Sequence, residues 1–185
     1  MEDLIQKYHS DQTRNGGKLP YIVHLFGVAN ILTSVIAISG GNIDDQTKED
    51  LYLAALGHDL LEDTTVSEQE IISASNEQVL SIIQFLTNPE DDEHTKPYME
   101  KLASAPEEAR LVKYADLIDN TFSVAYGLSD LDSAWVLNVF LPIVKNTTNT
   151  LNNTDFTKYP QISTLLQALL YTATNRLYSE LKILQ

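Results

Sequence analysis

The stretch Tyr21-Ile22-Val23-His24-Leu25-Phe26-Gly27-Val28-Ala29-Asn30-Ile31-Leu32-Thr33-Ser34-Val35-Ile36-Ala37-Ile38 decides the fold class. Apolar side chains recur at Ile22, Val23, Phe26, Val28, Ala29, Ile31, Leu32, Val35 and Ile36. That density is the pattern of a helix buried on most of its surface. Gly40-Gly41 supplies the stop signal, because glycine accepts the left-handed backbone that ends a helix. One polar residue, His24, stands inside this apolar run.

Working outward, the rest of the chain reads helical too. Leu4, Ile5 and Tyr8 make a short apolar stripe, and Gly16, Gly17 and Pro20 mark a loop after it. Asp44 or Asp45 can cap the next helix, which runs through Leu51, Leu53, Ala54, Ala55 and Leu56 towards Asp63. Ser67 with Glu70 fits a capping box before a helix over 68–74. Asn76 can cap another through Val79, Ile82, Ile83 and Leu86. An acidic loop is expected over 88–93, then a helical piece from Tyr98 to Leu102. Pro106 suits the first turn of a helix through Leu111, Val112, Ala115, Ile118 and Phe122. Leu131 to Val144 and Ile162 to Leu184 complete the set, with a kink or break at Pro142 and a polar Asn/Thr loop over 146–155. Trp135 falls among Leu131, Val136, Leu137 and Phe140 and is expected in the core. Leu165, Leu166, Leu169, Leu170, Ala173 and Leu177 form a packing stripe that could also serve as the seam of a homo-oligomer. No strand alternation of useful length and no repeat is visible. The reading is one all-α domain over 1–185, a bundle of about eight to nine helices.

Composition narrows the function. The chain has 185 residues, 43% apolar and 21% charged, which is ordinary for a globular protein. With no cysteine, disulfides, thiolate ligands and a cysteine nucleophile are all excluded. No basic-then-apolar leader opens the chain, and its apolar stretches fall short of the roughly 20 residues of a membrane span, so a cytoplasmic location and no membrane partner are expected. Twelve Lys and Arg against 26 Asp and Glu give a formal charge of −14. Such a surface repels a phosphate backbone, so nucleic acid is not the expected partner, whereas a small anion held by a few gathered cations remains open. Metal cations would be attracted.

Two polar clusters interrupt the apolar pattern. His58-Asp59 is followed by Glu62-Asp63, and on a helix each of the pairs 58/62 and 59/63 is i, i+4. They follow Ala54, Ala55 and Leu56, and unpaired carboxylates beside a core are costly. The second cluster is Lys113, Asp116, Asp119 and Asn120, with Ser123 one turn further on. Taken singly, each has an ordinary explanation: a helix-end pair for His58-Asp59, a satisfied core histidine for His24, a solvated helix end for Glu62-Asp63, an ion pair with Lys113 or Arg110 for Asp116. A divalent cation explains the imidazoles and carboxylates together. Two His and two Asp suit Mn, Fe, Zn or Ni better than a metal that prefers soft ligands. No Ser-His or Cys-His arrangement argues for a covalent route.

The order His, then His-Asp, then a later Asp resembles the HD-domain phosphohydrolases. The flanking text is more specific. Arg14-Asn15-Gly16-Gly17-Lys18-Leu19-Pro20-Tyr21-Ile22-Val23-His24 is similar to the R-x-x-G-x-P-Y-I-x-H of alarmone hydrolases. Ala54-Ala55-Leu56-Gly57-His58-Asp59-Leu60-Leu61-Glu62-Asp63-Thr64 is similar to their A-A-x-L-H-D-x-x-E-D-T, and Leu111-Val112-Lys113-Tyr114-Ala115-Asp116 with Asn120 to their V-K-L-A-D-x-x-x-N. The likeness covers about residues 1–126 and is to the hydrolase domain of Rel/SpoT proteins, with a length that suits the single-domain small alarmone hydrolases. It implies His24, His58, Asp59 and Asp116 as metal ligands, Mn²⁺ as the usual ion, and Glu62 and Asp63 as the pair that activates water. Arg14 would meet the guanine base and Asn120 the ribose; Lys18, Lys113 and Ser123 are further candidate contacts to a small anionic nucleotide. The implied reaction removes pyrophosphate from the 3′ position of ppGpp or pppGpp.

The departures from the pattern are local. Leu25 follows His24 where the family usually has Pro, Asn15 stands where a cation is common, and the run from Arg14 to His24 is one residue longer. The family's D-R-L-H-N becomes Asp116-Leu117-Ile118-Asp119-Asn120, losing a cation and a His and gaining an acid. These changes spare the metal set and fall on groups that would hold a highly charged nucleotide. Hydrolysis of another nucleotide is therefore the first alternative, a non-catalytic binding module the second, and a nuclease the third. His9, with Gln12 three residues on, is a candidate to support the site from behind, and His94 reads as a surface residue.

Overall fold

The computed structural model describes residues 1–14, 17–88 and 96–183. The described chain is helical throughout, apart from one minimal ladder. Helix α1 (Glu2–His9) leads into a hairpin of two-residue strands, β1 (Thr13–Arg14) and β2 (Leu19–Pro20), paired antiparallel with Thr13 opposite Pro20 and Arg14 opposite Leu19. Then follow α2 (Ile22–Ser39), α3 (Asp45–Gly57), α4 (Leu60–Asp63), α5 (Glu68–Ala74), α6 (Glu77–Leu86), α7 (Lys96–Ser104) and α8 (Glu107–Gly127). A 3₁₀ turn over Leu128–Asp130 precedes α9 (Ser133–Trp135), a π-helical stretch Val136–Phe140, α10 (Leu141–Asn152) and α11 (Pro160–Ile183).

The helix ends follow local chemistry. Asp44 caps α3 by accepting from the Thr47 N–H at 2.9 Å, and Asn76 caps α6 by accepting from Val79 N–H at 3.0 Å. Ser67 and Glu70 form the expected reciprocal capping box. Gly40 ends α2 at φ 65°, in the left-handed region. By length and mean hydropathy α2 could cross a membrane, yet in the fold it packs against α1, α3, α8 and α11 and carries a buried histidine. Leu25, Val28, Leu32, Leu51, Leu111 and Leu166, all fully buried, bring α2, α3, α8 and α11 into one core.

Several expectations need correction. The helix expected to run to Asp63 stops at Gly57 and restarts at Leu60; His58 and Asp59 occupy the turn between, where the Asp59 carbonyl accepts from Glu62 N–H (3.2 Å) and Asp63 N–H (2.9 Å). Pro106 sits one position earlier than expected, as the cap of α8. The Asn/Thr run read as a loop is helix as far as Asn152, because Val144, Thr147 and Leu151 place one buried face at helical spacing and packing overrides weak propensity. Trp135 is 40% exposed rather than core; the inward face of its run is carried by Val136 and Phe140. The break expected at Pro142 takes the form of an element boundary: Pro142 is the second residue of α10, just after the π-helical stretch that ends at Phe140. Strands β1 and β2 flank the expected glycine loop, of which Gly16 lies outside the described residues. The acidic stretch 89–93 and His94 lie outside the described residues.

Candidate metal centre

Three elements converge on one point. His24 lies in the first turn of α2, His58 and Asp59 in the α3–α4 turn, and Asp116 near the middle of α8. The turn matters, because it lets two adjacent residues face the same point rather than diverge around a helix. His24, His58 and Asp116 are buried, and Asp59 nearly so. One ligand atom each from His24, His58 and Asp59 lies within 4.8 Å of the others. The Asp59 Oδ2 atom is 3.0 Å from His58 Nε2 and 3.5 Å from His24 Nε2. Asp116 Oδ1 is 3.3 Å from His24 Nε2 and 3.6 Å from His58 Nε2. Ligand atoms held about 2.1 Å from a shared ion stand about 3.0–3.4 Å apart in tetrahedral or cis-octahedral arrangements, so this spacing suits one cation.

The hydrogen bonds on the far side of each ring agree with this. His58 Nδ1–H donates to the Ala55 carbonyl at 2.8 Å, leaving Nε2 with a lone pair; among the described residues that atom is buried and makes no hydrogen bond. His24 Nδ1–H donates to Asp119 Oδ2 at 2.8 Å, again leaving Nε2 facing the cluster. Both rings are thus fixed in the tautomer a cation requires. Without a cation, burial opposes charge on the imidazoles, but the neighbouring carboxylates outweigh it. His58 is pushed up to about 10, and His24 lies well above its ordinary value. Asp59 and Asp116 are held well below the carboxylate range despite their burial: Asp59 by His58 and His24, Asp116 by Lys113 and both histidines.

The surrounding groups divide. The Tyr21 hydroxyl donates to Asp59 Oδ2 at 2.6 Å, and burial together with the Asp59 and Asp63 charges keeps its proton on. Asp63 is pushed upward by burial and by the Asp59 charge. Glu62 instead accepts from the Asn88 N–H at 2.8 Å through Oε2. Lys113 is buried with its Nζ 2.9 Å from Asp116 Oδ2. Arg14 donates to Asp119 Oδ2 (2.7 Å) and Asn120 Oδ1 (2.9 Å), and Asn120 Nδ2 donates to Asp116 Oδ1 (2.7 Å). Lys18 pairs with Asp130 and, with Ser123, lines an open groove beside Leu19 and Tyr126, apart from the ligand cluster. His9 is buried, donates through Nδ1 to Gln12 Oε1 at 2.6 Å, and stacks on Tyr21 with ring centroids 5.2 Å apart. Sequence reasoning missed Tyr21, read only as a motif letter, and the bond from His24 to Asp119, a residue read as part of the second polar cluster but not paired with the histidine. Spacing offered a hint for both: Tyr21 is three residues before His24, and Asp119 three after Asp116.

Comparison with known proteins bears on this geometry. The HD-domain family matches residues 21–121, which contain all four converging side chains. The chain belongs to the HD-domain family. Two relatives, both named guanosine-3′,5′-bis(diphosphate) 3′-pyrophosphohydrolase MESH1, are similar over the same part. The Drosophila melanogaster protein is 27% identical over 117 residues, covering 62% of this chain and 61% of that one. The Xenopus tropicalis protein is 34% identical over 122 residues, covering 62% of each. The match thus spans about three-fifths of the length of these two relatives. A solved structure described as a metazoan orthologue of SpoT that hydrolyses ppGpp superposes with a TM-score of 0.71 at 24% identity, over 95% of this chain and 91% of the other. The fold is therefore shared over 95% of the chain.

Proposed function

We propose that this HD-domain protein is a metal-dependent phosphohydrolase that removes the 3′-pyrophosphate from guanosine alarmones, acting as one domain over residues 1–185. The observation that carries the reading is the convergence of His24, His58, Asp59 and Asp116 at ligand spacing, with both imidazoles already committed to the metal-binding tautomer. The similarity to two relatives named for that activity supports the substrate. His24, His58, Asp59 and Asp116 would hold a divalent cation, Mn²⁺ in this reading. When bound, such an ion supplies positive charge that acidifies an attacking water and offsets charge on the phosphoryl oxygens.

The chain's own residues supply the rest. Asp63, with its carboxyl raised above its ordinary value by burial and by Asp59, is the acceptor for the proton lost by water. Glu62, tethered to the Asn88 N–H, orients rather than accepts. Tyr21 holds Asp59 in place through its hydroxyl. Lys113 lies against Asp116, where it offsets charge in the buried cluster. Arg14 and Asn120, beside the ligands, and Lys18 and Ser123, along the separate open groove, are the substrate contacts we propose.

A second reading, hydrolysis of a less highly charged nucleotide at the same site, is favoured by one observation: the Arg14 guanidinium is engaged by Asp119 and Asn120. The test is a panel of nucleotides incubated with the full chain and Mn²⁺. Pyrophosphate released from ppGpp at a rate well above that of the His58→Ala variant supports the first reading. Turnover of another nucleotide with none of ppGpp would replace it with the second.

A further inference from the structure

We propose that Asp119 is a positioning residue that fixes His24 for the cation, and that Gly27 is required because any side chain there would displace the Asp119 carboxylate. The proposal rests only on the metal-binding part of the reading above. His24 can present Nε2 to an ion only if its Nδ1–H has an acceptor, and Asp119 Oδ2 provides it at 2.8 Å. That oxygen does not stand alone. Arg14 Nη1 holds it at 2.7 Å, Arg14 Nη2 donates to Asn120 Oδ1 at 2.9 Å, and Asn120 Nδ2 donates to Asp116 Oδ1 at 2.7 Å. A continuous chain of hydrogen bonds therefore runs around the back of the site from His24 to Asp116. It joins two ligands from different helices through β1, so Arg14 serves the ligand geometry whatever else it touches.

Packing makes room for this chain at Gly27. A Cβ added at Gly27 would collide with Asp119 Oδ1 and lie 3.0 Å from its Cγ. Asp119 has a short side chain already tied to His24 and Arg14, so it cannot yield without releasing one of them. Gly27 lies on α2, three residues beyond His24, and at this point α2 and α8 come close enough for one carboxylate to reach the ring.

The experiment is Mn²⁺ titration of the full chain, followed by the free-ion EPR signal, with thermal melts alongside. Asp119→Ala is expected to weaken Mn²⁺ binding about 10–100-fold, the range for losing a group that orients a ligand, with the melting temperature changed by only a few degrees. Asp119→Asn should recover part of that loss, because its amide oxygen still accepts from His24 Nδ1; a role through charge alone would give no recovery and would overturn the proposal. Gly27→Ala should weaken binding as Asp119→Ala does, yet add nothing in the Asp119→Ala background, where the space is free. Affinity within twofold of the parent for Asp119→Ala would sink the assignment. So would equal losses from Gly27→Ala in both backgrounds. These readouts do not involve a nucleotide: if the affinities move as stated while ppGpp is untouched, the alarmone reading fails and the positioning role stands.

Discussion

Two sets of buried carboxylates in this protein have opposite surroundings. Glu107, at the start of α8, is saturated by its own chain. Its Oε1 accepts from Thr157 N–H (2.7 Å) and Lys158 N–H (2.9 Å), and its Oε2 from Lys158 N–H and Tyr159 N–H, both at 3.0 Å. Burial works against its charge, but these backbone donors hold its pKa below the ordinary range. Asp59 and Asp116 instead face imidazole nitrogens whose rings have committed their Nδ1 protons elsewhere. Two acceptors 3.0 Å apart, such as Asp59 Oδ2 and His58 Nε2, need a proton or a cation between them. A buried charge whose donors are complete is a staple. A buried charge set against imidazole nitrogens is open to a proton or a cation, and so is a candidate binding site.

Removing one ligand breaks this contrast most severely. His58→Ala should abolish Mn²⁺ binding and turnover together, a loss beyond the roughly 10–100-fold expected for groups behind the ligands; retention of either would end the metal reading. The next effect separates two adjacent acids. Asp63→Asn should lower kcat by about 10²–10⁴ while Mn²⁺ affinity moves less than about tenfold, because Asp63 acts on a proton. Glu62→Gln should cost less, since the Asn88 N–H still finds an acceptor in the new side chain. Steady-state rates measured beside metal titrations decide the order, and a larger loss at Glu62 would exchange the roles of the two acids.

How much of this was legible in the sequence differs between the same two regions. The convergence of His24, His58, Asp59 and Asp116 could be anticipated because they are polar residues set among apolar ones, and burying them demands a reason. The helix caps at Asp44, Ser67 and Asn76 could be read because capping is local. The break at His58-Asp59 could not, since neither residue is a strong helix breaker and the turn answers to tertiary convergence. Glu107 gave no signal either: its partners lie fifty positions away, in the connection before α11. The helix through Asn146 and Asn152 was hidden for a related reason, as its buried side chains are spaced among poor helix formers and only packing against neighbouring helices reveals them.

Glu107 should therefore matter for stability and be silent in metal binding. Glu107→Ala leaves backbone donors of residues 157–159 without their acceptor, and a loss of about 2–4 kcal/mol is expected, with Mn²⁺ affinity unchanged. The pH dependence has a definite sign. The folded pKa lies below an unfolded value of about 4.3, so this stabilisation is complete above that pH and disappears as pH falls through the folded value. Melting curves should show the gap between the parent and Glu107→Ala closing on acidification; a gap that widens would contradict the staple.

The smallest effect is expected where an aromatic residue only looked like core. Trp135 is 40% exposed and stacks on Phe140, with ring centroids 5.6 Å apart, while Phe140 itself is buried. Most of what Trp135 could lose on truncation is already in contact with water. Trp135→Ala should therefore cost less than about 1 kcal/mol by denaturant unfolding, against the roughly 3–5 kcal/mol typical of a buried tryptophan. A loss in that upper range would mean that the ring closes over Phe140 in solution, and that the π-helical stretch after it is held by the tryptophan rather than by Pro142.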